Sequence, residues 1–101
     1  IADDVVWHAV FAKLDITPDQ PVRLSGYGNR DKPHTGVATK LHARAVALRY
    51  ADQSPHVLIS IDTIGLPGDF SRKISDQLAS EYQLQREQIV LCATHTHCGP
   101  D

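Results

Sequence analysis

Apolar and polar residues recur along this chain in two periods, one typical of strands and one typical of a helix. A β-branched run over residues 57–62 predicts a strand that is covered on both faces. A second apolar run over residues 89–94 predicts another strand. Between them, residues 69–82 predict an amphipathic helix that Asp69 caps. The apolar stripe of this helix consists of Phe70, Ile74, Leu78 and Tyr82.

The same alternation predicts strands in the first half of the chain. One lies within Val5–Asp15 and one within Lys40–Tyr50, although the alanines in both segments would also suit a helix. A short strand is expected at Val22–Leu24. A strand–helix–strand unit pairs its strands in parallel through a right-handed crossover. We therefore expect an α/β fold with a mixed sheet, in which the strand 57–62, the helix and the strand 89–94 form a βαβ unit.

Two histidines, His95 and His97, follow the second apolar run. Side chains two residues apart share a face of an extended strand, so both imidazoles should point the same way. Neutral imidazole is a common zinc ligand, and the pair therefore predicts half of a metal site. The other interpretation is that both are polar residues at the mouth of a loop. Asp62 ends the neighbouring strand, so we expect it near the pair, either serving the metal site or capping a loop.

Three further positions have chemistry that the pattern leaves open. Two glycines flank Tyr27, which would let the backbone of residues 26–28 approach a neighbour or a ligand; a plain surface loop is the alternative. Cys92 is expected to be a small buried apolar side chain. Cys98 is either a bystander thiol or an additional soft ligand.

The composition indicates one globular domain and does not indicate a particular reaction. The 101 residues are 42% hydrophobic and 22% charged, which is ordinary for one globular domain. The formal net charge of -2 gives no general attraction to nucleic acid, so no nucleic-acid partner is expected. No apolar run approaches the ~18 residues of a membrane-spanning helix.

The chain stops at Asp101, directly after the histidine pair. A metal site with so few ligands in view suggests that residues 1–101 are the N-terminal fragment of a larger catalytic domain. The sheet of such a fragment would expose an edge strand. We therefore expect the fragment to self-associate.

Several short blocks of this chain resemble the N-terminal region of the neutral/alkaline (non-lysosomal) ceramidase family. The specific block is Ala93–Pro100, which reads Ala-Thr-His-Thr-His-Cys-Gly-Pro. The family usually has serine where this chain has Cys98. Together the blocks cover nearly the whole chain. The weaker ones are Leu14–Thr17, Gly26–Asn29, Leu41–Val46 and Ile59–Asp62.

The resemblance implies a zinc-dependent amidase of sphingolipid metabolism that hydrolyses the N-acyl bond of ceramide-like lipids. It implies that His95 binds zinc and that His97 is a catalytic residue lining the site. We also place Gly26, Tyr27 and Asp62 beside the substrate or behind the histidines.

The family's remaining ligands and its catalytic serine lie later in the sequence, so this chain alone should be inactive. An N-acyl lipid substrate allows peripheral contact with a membrane. The resemblance also suggests a secreted, periplasmic or cell-surface protein.

Two other interpretations stay open. Ser60–Thr63, a helix and a strand ending in Thr-His-Thr-His also resemble the metallo-β-lactamase pattern. That family continues His-x-His-x-Asp-His, and here Gly99 and Pro100 stand in the places of the aspartate and the last histidine. The remaining interpretation is a non-catalytic α/β binding domain.

Overall fold

The structure is a computed structural model, which describes residues 6–28 and 30–101. The chain folds into a four-stranded mixed sheet with one helix. The predicted α/β fold is confirmed. Val5, the first residue of the predicted first strand, and Asn29, the last of the Gly26–Asn29 block, lie outside the described residues. The elements are β1 (Trp7–Asp15), β2 (His42–Tyr50), β3 (His56–Ile61), α1 (Gly68–Tyr82) and β4 (Ile89–Ala93), with a 3-10 turn at Arg86–Gln88 before β4.

The strand order is β1-β2-β3-β4, so β1 and β4 are the edge strands of the described sheet. The pairs β1/β2 and β2/β3 are antiparallel, whereas β3 and β4 are parallel and are joined through α1. This is the predicted βαβ unit, and it brings the ends of β3 and β4 to the same edge of the sheet. Self-association through an open edge stays a prediction.

Burial alternates along the two parallel strands because α1 covers only one face of the sheet. Ile89 is 2% exposed and Leu84 is 5% exposed; they are the buried hydrophobic residues of the described chain. Val57 and Ile59 share the face of Ile89 and are partly covered. Leu84 precedes β4 and Ile89 is its first residue, so this small core holds the start of β4 in place.

The opposite face of the sheet is uncovered over the described residues. An apolar row crosses all four strands there, because its members are direct cross-strand partners: Phe11, Val46, Leu58 and Val90. Leu58 is 43% exposed, so the expectation that residues 57–62 are covered on both faces is wrong for this structure. Cys92 lies on the same face and is exposed, which also corrects its predicted burial. Alternation alone could not separate the two faces, since both carry apolar residues.

Two details of α1 differ from the sequence-based prediction. The residue before the helix is Pro67, with no side-chain capping bond, and Asp69 lies inside the first turn, so Asp69 is not the cap. There its charge still complements the positive end of the helix dipole. Phe70 and Tyr82, the ends of the predicted stripe, are exposed. A four-residue repeat drifts away from a 3.6-residue turn, so the two ends of the stripe rotate off the covered face.

The segment predicted as a short strand, Val22–Leu24, forms only isolated bridges. Arg23 pairs with Pro33 and Leu24 pairs with Pro100. The segment therefore belongs to the loop structure beyond the ends of β3 and β4. No helix in the described part of the chain is both long and apolar enough to cross a membrane.

Candidate functional site

The His95–His97 pair lies just past the end of β4. The two rings lie close to each other, but not because the residues are in an extended strand, as the pattern predicts. β4 ends at Ala93, and His95 has φ 63°, which is left-handed rather than extended backbone. The rings nevertheless lie with centroids 5.2 Å apart and planes at 71°. The loop after β4, and not the pleat of a strand, sets their relative orientation.

The carboxyl end of β3 holds His95 in place. The His95 backbone N–H donates to the Thr63 carbonyl at 2.9 Å, and its ring Nδ1 lies 2.8 Å from the Ile64 carbonyl. Because a carbonyl can only accept, Nδ1 carries the proton, and Nε2 of the neutral ring keeps its lone pair. His95 is also exposed. A histidine that binds a metal through one ring nitrogen characteristically donates a hydrogen bond from the N–H of the other, as His95 does here.

The His97 ring is held from behind by the loop that carries Gly26 and Tyr27. A Cβ placed on Gly26 would lie 2.3 Å from the His97 Nδ1, so only glycine leaves room for the ring. The Tyr27 ring meets it at a centroid distance of 4.5 Å and an angle of 64°. Nδ1 of His97 is buried and has no hydrogen-bond partner in the described chain. Because this nitrogen lies against Gly26, at the wall behind the ring, its burial reflects the close packing of the loop on His97.

Hydrogen bonds join the loop around Gly26 to the end of the chain. The buried Ser25 donates its backbone N–H to the Gly99 carbonyl at 2.8 Å and its hydroxyl to the Pro100 carbonyl at 2.6 Å. The Asp101 backbone N–H donates to the Arg23 carbonyl at 2.9 Å, and the two side chains form an ion pair. The bonds of Ser25 and the backbone therefore join the two segments behind the histidines, and the exposed ion pair adds a link at the surface.

The site also concentrates unusual backbone. Gly26, Tyr27 and Gly28 all have positive φ, at 92°, 63° and 59°. Tyr27 and His95 are two of the four non-glycine residues with positive φ in the described ranges. Left-handed backbone costs such residues roughly 1–2 kcal/mol each, and strain of this kind clusters at functional sites.

Sequence reasoning selected Gly26, Tyr27, His95 and His97, and the structure brings all of them into one cluster. It missed Arg30, which donates to the Ser25 carbonyl at 3.0 Å and to the His97 carbonyl. The only signal was that Arg30 follows the glycine-rich segment closely. A lone charged residue in a polar loop normally means solvent, so the pattern gave no reason to choose it.

Asp62 lies at the same edge of the sheet, but its carboxylate bonds to β2. It accepts the His42 backbone N–H at 2.9 Å and a bond from Arg44 at 3.3 Å, and neither His95 nor His97 is among its recorded partners. The bond from the His42 backbone, followed by Arg44, holds the pKa of Asp62 below its ordinary value of 3.8. In this structure Asp62 ties the start of β2 to the end of β3.

We expect Asp62→Asn to destabilise the protein by about 1–3 kcal/mol at pH 7, since a charged acceptor is lost from a side chain that is 17% exposed. A carboxyl whose pKa is lowered on folding stabilises the folded state above its unfolded pKa and loses that contribution as pH falls through the folded pKa. The gap between wild type and variant should therefore be full at neutral pH and narrow below about pH 3.8. Denaturant unfolding at pH 7 and pH 3 measures it. Asp52→Asn, in the exposed β2–β3 turn, should show no such gap.

The described residues do not by themselves form a complete metal site. Among residues 6–28 and 30–101, no three His, Cys, Asp or Glu side chains are grouped so that they could hold a metal ion. The donors that fit are the free Nε2 of His95 and, beside it, the His97 ring. A catalytic zinc needs three protein ligands and an open position, so further ligands would have to come from other sequence.

A separate open cavity of about 480 Å³ lies on the other side of the loop after β4. Its lining includes Leu24, Leu41, Thr96 and Cys98, but neither His95 nor His97. The cavity is therefore separate from the histidine pair.

The sequence profile described as neutral/alkaline non-lysosomal ceramidase, N-terminal, matches residues 9–101. The chain is 29% identical over 89 residues to "Neutral ceramidase 2" of Arabidopsis thaliana, a match covering 85% of this chain and 12% of that protein. It is similar to the crystal structure of neutral ceramidase from Pseudomonas aeruginosa, with a TM-score of 0.84 and 27% identity. That match covers 98% of this chain and 16% of the bacterial one, so this chain spans a small part of the proteins that it resembles.

Proposed function

The chain belongs to the neutral/alkaline non-lysosomal ceramidase family, and from that premise we propose that the whole protein is a zinc-dependent amidase acting on ceramide-like N-acyl lipids. The observation that carries this proposal is the His95–His97 pair past the end of β4, with the tautomer of His95 fixed by the Ile64 carbonyl. A protonated Nδ1 leaves Nε2 exposed as a ready-made ligand.

In this proposal each residue of the cluster has a distinct task. Nε2 of His95 is a zinc ligand, and the bond from its Nδ1 to the Ile64 carbonyl keeps the ring oriented. Bound zinc would polarise the amide carbonyl and lower the pKa of a water molecule from ~15.7 to about 7. The His97 ring lines the space beside His95, where it can contact the substrate, while Gly26 and Tyr27 confine it from behind.

This chain by itself is proposed to be inactive. Its described residues contain no third His, Cys, Asp or Glu grouped with the pair, and a zinc site with two imidazoles is incomplete. The missing ligands and the groove for the acyl chain would come from the rest of the protein. The cluster described above is then the contribution of the N-terminal segment to a shared site.

The metallo-β-lactamase interpretation has weaker support. It needs aspartate and histidine at positions 99 and 100, where this chain has Gly99 and Pro100. Gly99 is buried, and a Cβ there would already contact the Asp62 carbonyl oxygen at 3.4 Å and the Thr63 Cα at 3.5 Å. These distances are ordinary van der Waals contacts, so it is the identity of residues 99 and 100, and not their packing, that weakens this interpretation.

The proposal is tested by incubating the whole protein with N-acylsphingosine and, separately, with a β-lactam and a thioester. Hydrolysis of the amide should release one fatty acid and one sphingosine per bond, because water gives its hydroxyl to the acyl carbon and a proton to the amine. Mass spectrometry measures both products. We expect a chelator to stop the release and added zinc to restore it.

Three results would contradict this function. Turnover that survives complete removal of metal would exclude the zinc dependence. Cleavage of the β-lactam or thioester alone would favour the other hydrolase interpretation. Absence of zinc and of any turnover in the intact protein would favour the non-catalytic binding domain.

A further inference from the structure

Arg30 connects the three parts of the histidine cluster through one side chain. Its guanidinium donates to the carbonyl of His97 and to that of Ser25, at 3.0 Å in the second case. The guanidinium carbon also lies 4.9 Å from the centre of the Tyr27 ring. Arg30 therefore contacts the loop that confines the His97 ring, the backbone of His97 itself and the aromatic ring packed against it.

Both hydrogen bonds come from one guanidinium nitrogen, Nη1, while the guanidinium carbon lies over the Tyr27 ring. A lysine ammonium has three donors and could bond both carbonyls, but it is a compact point charge without the flat surface that stacks on an aromatic ring. Arg30 is half-buried and forms no ion pair with the described residues, so the two carbonyls are its recorded polar partners.

Without the contacts of Arg30, the loop of residues 26–28 would be free to leave its strained backbone conformation. Residues 26–28 have positive φ throughout, and Tyr27 has no intrinsic preference for that conformation. The position of the His97 ring depends on this loop, because Gly26 and Tyr27 form the wall behind it. Loss of the clamp would let the ring move relative to His95, whose own ring is held independently by Ile64.

We propose that Arg30 is a positioning residue, which fixes the His97 backbone and the Tyr27 ring so that the two imidazoles keep their relative orientation. For its effect on turnover, this inference rests on the proposed zinc amidase function. Its effect on the His97 ring does not depend on that function.

Arg23 provides a matched control. It joins the same two chain segments through its ion pair with Asp101, but its recorded polar contacts include neither His97 nor Tyr27. A role that is merely structural would make Arg23→Ala and Arg30→Ala behave alike. A positioning role predicts that they differ.

The experiment compares Arg30→Ala, Arg30→Lys and Arg23→Ala in the whole protein. We expect Arg30→Ala to lower kcat by roughly 10–100-fold, because a shift of about 1 Å in the His97 ring misplaces it relative to the substrate. Zinc affinity, measured by competition with a chelator, should change little, since the His95 ring is held by Ile64 and not by Arg30. KM should change little, because no substrate contact is removed. Arg30→Lys should recover only part of the loss, and Arg23→Ala should stay close to wild type in both measurements.

A second readout works without metal or substrate. Modification of individual histidines by diethyl pyrocarbonate, followed by peptide mass spectrometry, reports how accessible each ring is in the metal-free protein. Arg30→Ala should raise the modification rate of His97 several-fold, and Arg23→Ala should not.

Equal His97 reactivity in the two variants, or unchanged kcat in Arg30→Ala with a loss of Tm matching that of Arg23→Ala, would overturn the proposal. If the wild-type protein binds no zinc, the proposed function fails, and the reactivity of His97 still decides the role of Arg30.

Discussion

Replacing His95 with alanine in the whole protein should abolish zinc binding and lower amide hydrolysis by on the order of a thousandfold, equivalent to ~4 kcal/mol in the activation barrier. The expected loss is large because the free Nε2 of His95 is the clearest metal donor in the described chain. Metal content by elemental analysis and kcat on N-acylsphingosine measure the two effects. The metal-free variant should fold, since the ring is exposed and its loss removes one hydrogen bond worth about 1 kcal/mol.

His56→Ala is the matched control for this experiment. His56 is exposed and begins β3, at the opposite end of that strand from the histidine pair. Its replacement should leave metal content and turnover unchanged. If His95→Ala kept its zinc and its turnover while folded, His95 would not be a ligand, and the interpretation of the pair as polar residues at a loop mouth would gain support.

The last two strands, the helix between them and their sequence along the chain could be predicted because each carries a strong periodic signal. Residues 57–94 contain two apolar runs and one helical repeat, and these define a βαβ unit with little ambiguity. The parallel pairing then places the residues after Ile61 beside those after Ala93, which is where Thr63 and Ile64 meet His95. Topology alone could therefore bring the supports of His95 to the right edge of the sheet.

The conformation of the loops could not be predicted in the same way. The left-handed backbone of His95 depends on carbonyls of Thr63 and Ile64 that lie about thirty residues earlier in the chain. Arg30 reaches a carbonyl 67 positions away. Contacts between residues so far apart in the chain form only in the assembled fold, so the pattern of neighbouring residues does not predict them.

The partners of Asp62 show a related limit. Asp62 follows directly after β3, and both predicted roles, serving the metal site and capping a loop, fit that position. The role of Asp62 depends on which hydrogen-bond donors lie near its carboxylate. These are the His42 backbone N–H and Arg44, both on the antiparallel neighbour β2. A strand order in which β2 and β4 flank β3 could not be derived from the alternation of apolar residues.

Gly26→Ala should be the most damaging substitution of a small residue in the described chain. The new Cβ would lie 2.3 Å from Nδ1 and 2.6 Å from Cγ of His97, and the backbone at φ 92° is strained for any side chain. We expect a destabilisation of about 3 kcal/mol, combining backbone strain with an overpacked contact. Because the ring must move by about 1 Å or more, turnover should fall on the order of a hundredfold. Thermal unfolding and kcat measure the two losses.

Gly28→Ala separates strain from contact, because Gly28 also has positive φ, at 59°, but a Cβ there would meet nothing within 4 Å. It should cost only the strain, about 1–2 kcal/mol. A double-mutant cycle with His97→Ala then isolates the steric part: without the imidazole, Gly26→Ala should cost little more than Gly28→Ala, since the clash has lost its partner. If Gly26→Ala were equally harmful with and without the His97 ring, the packing of that ring on Gly26 would not explain why glycine is needed there.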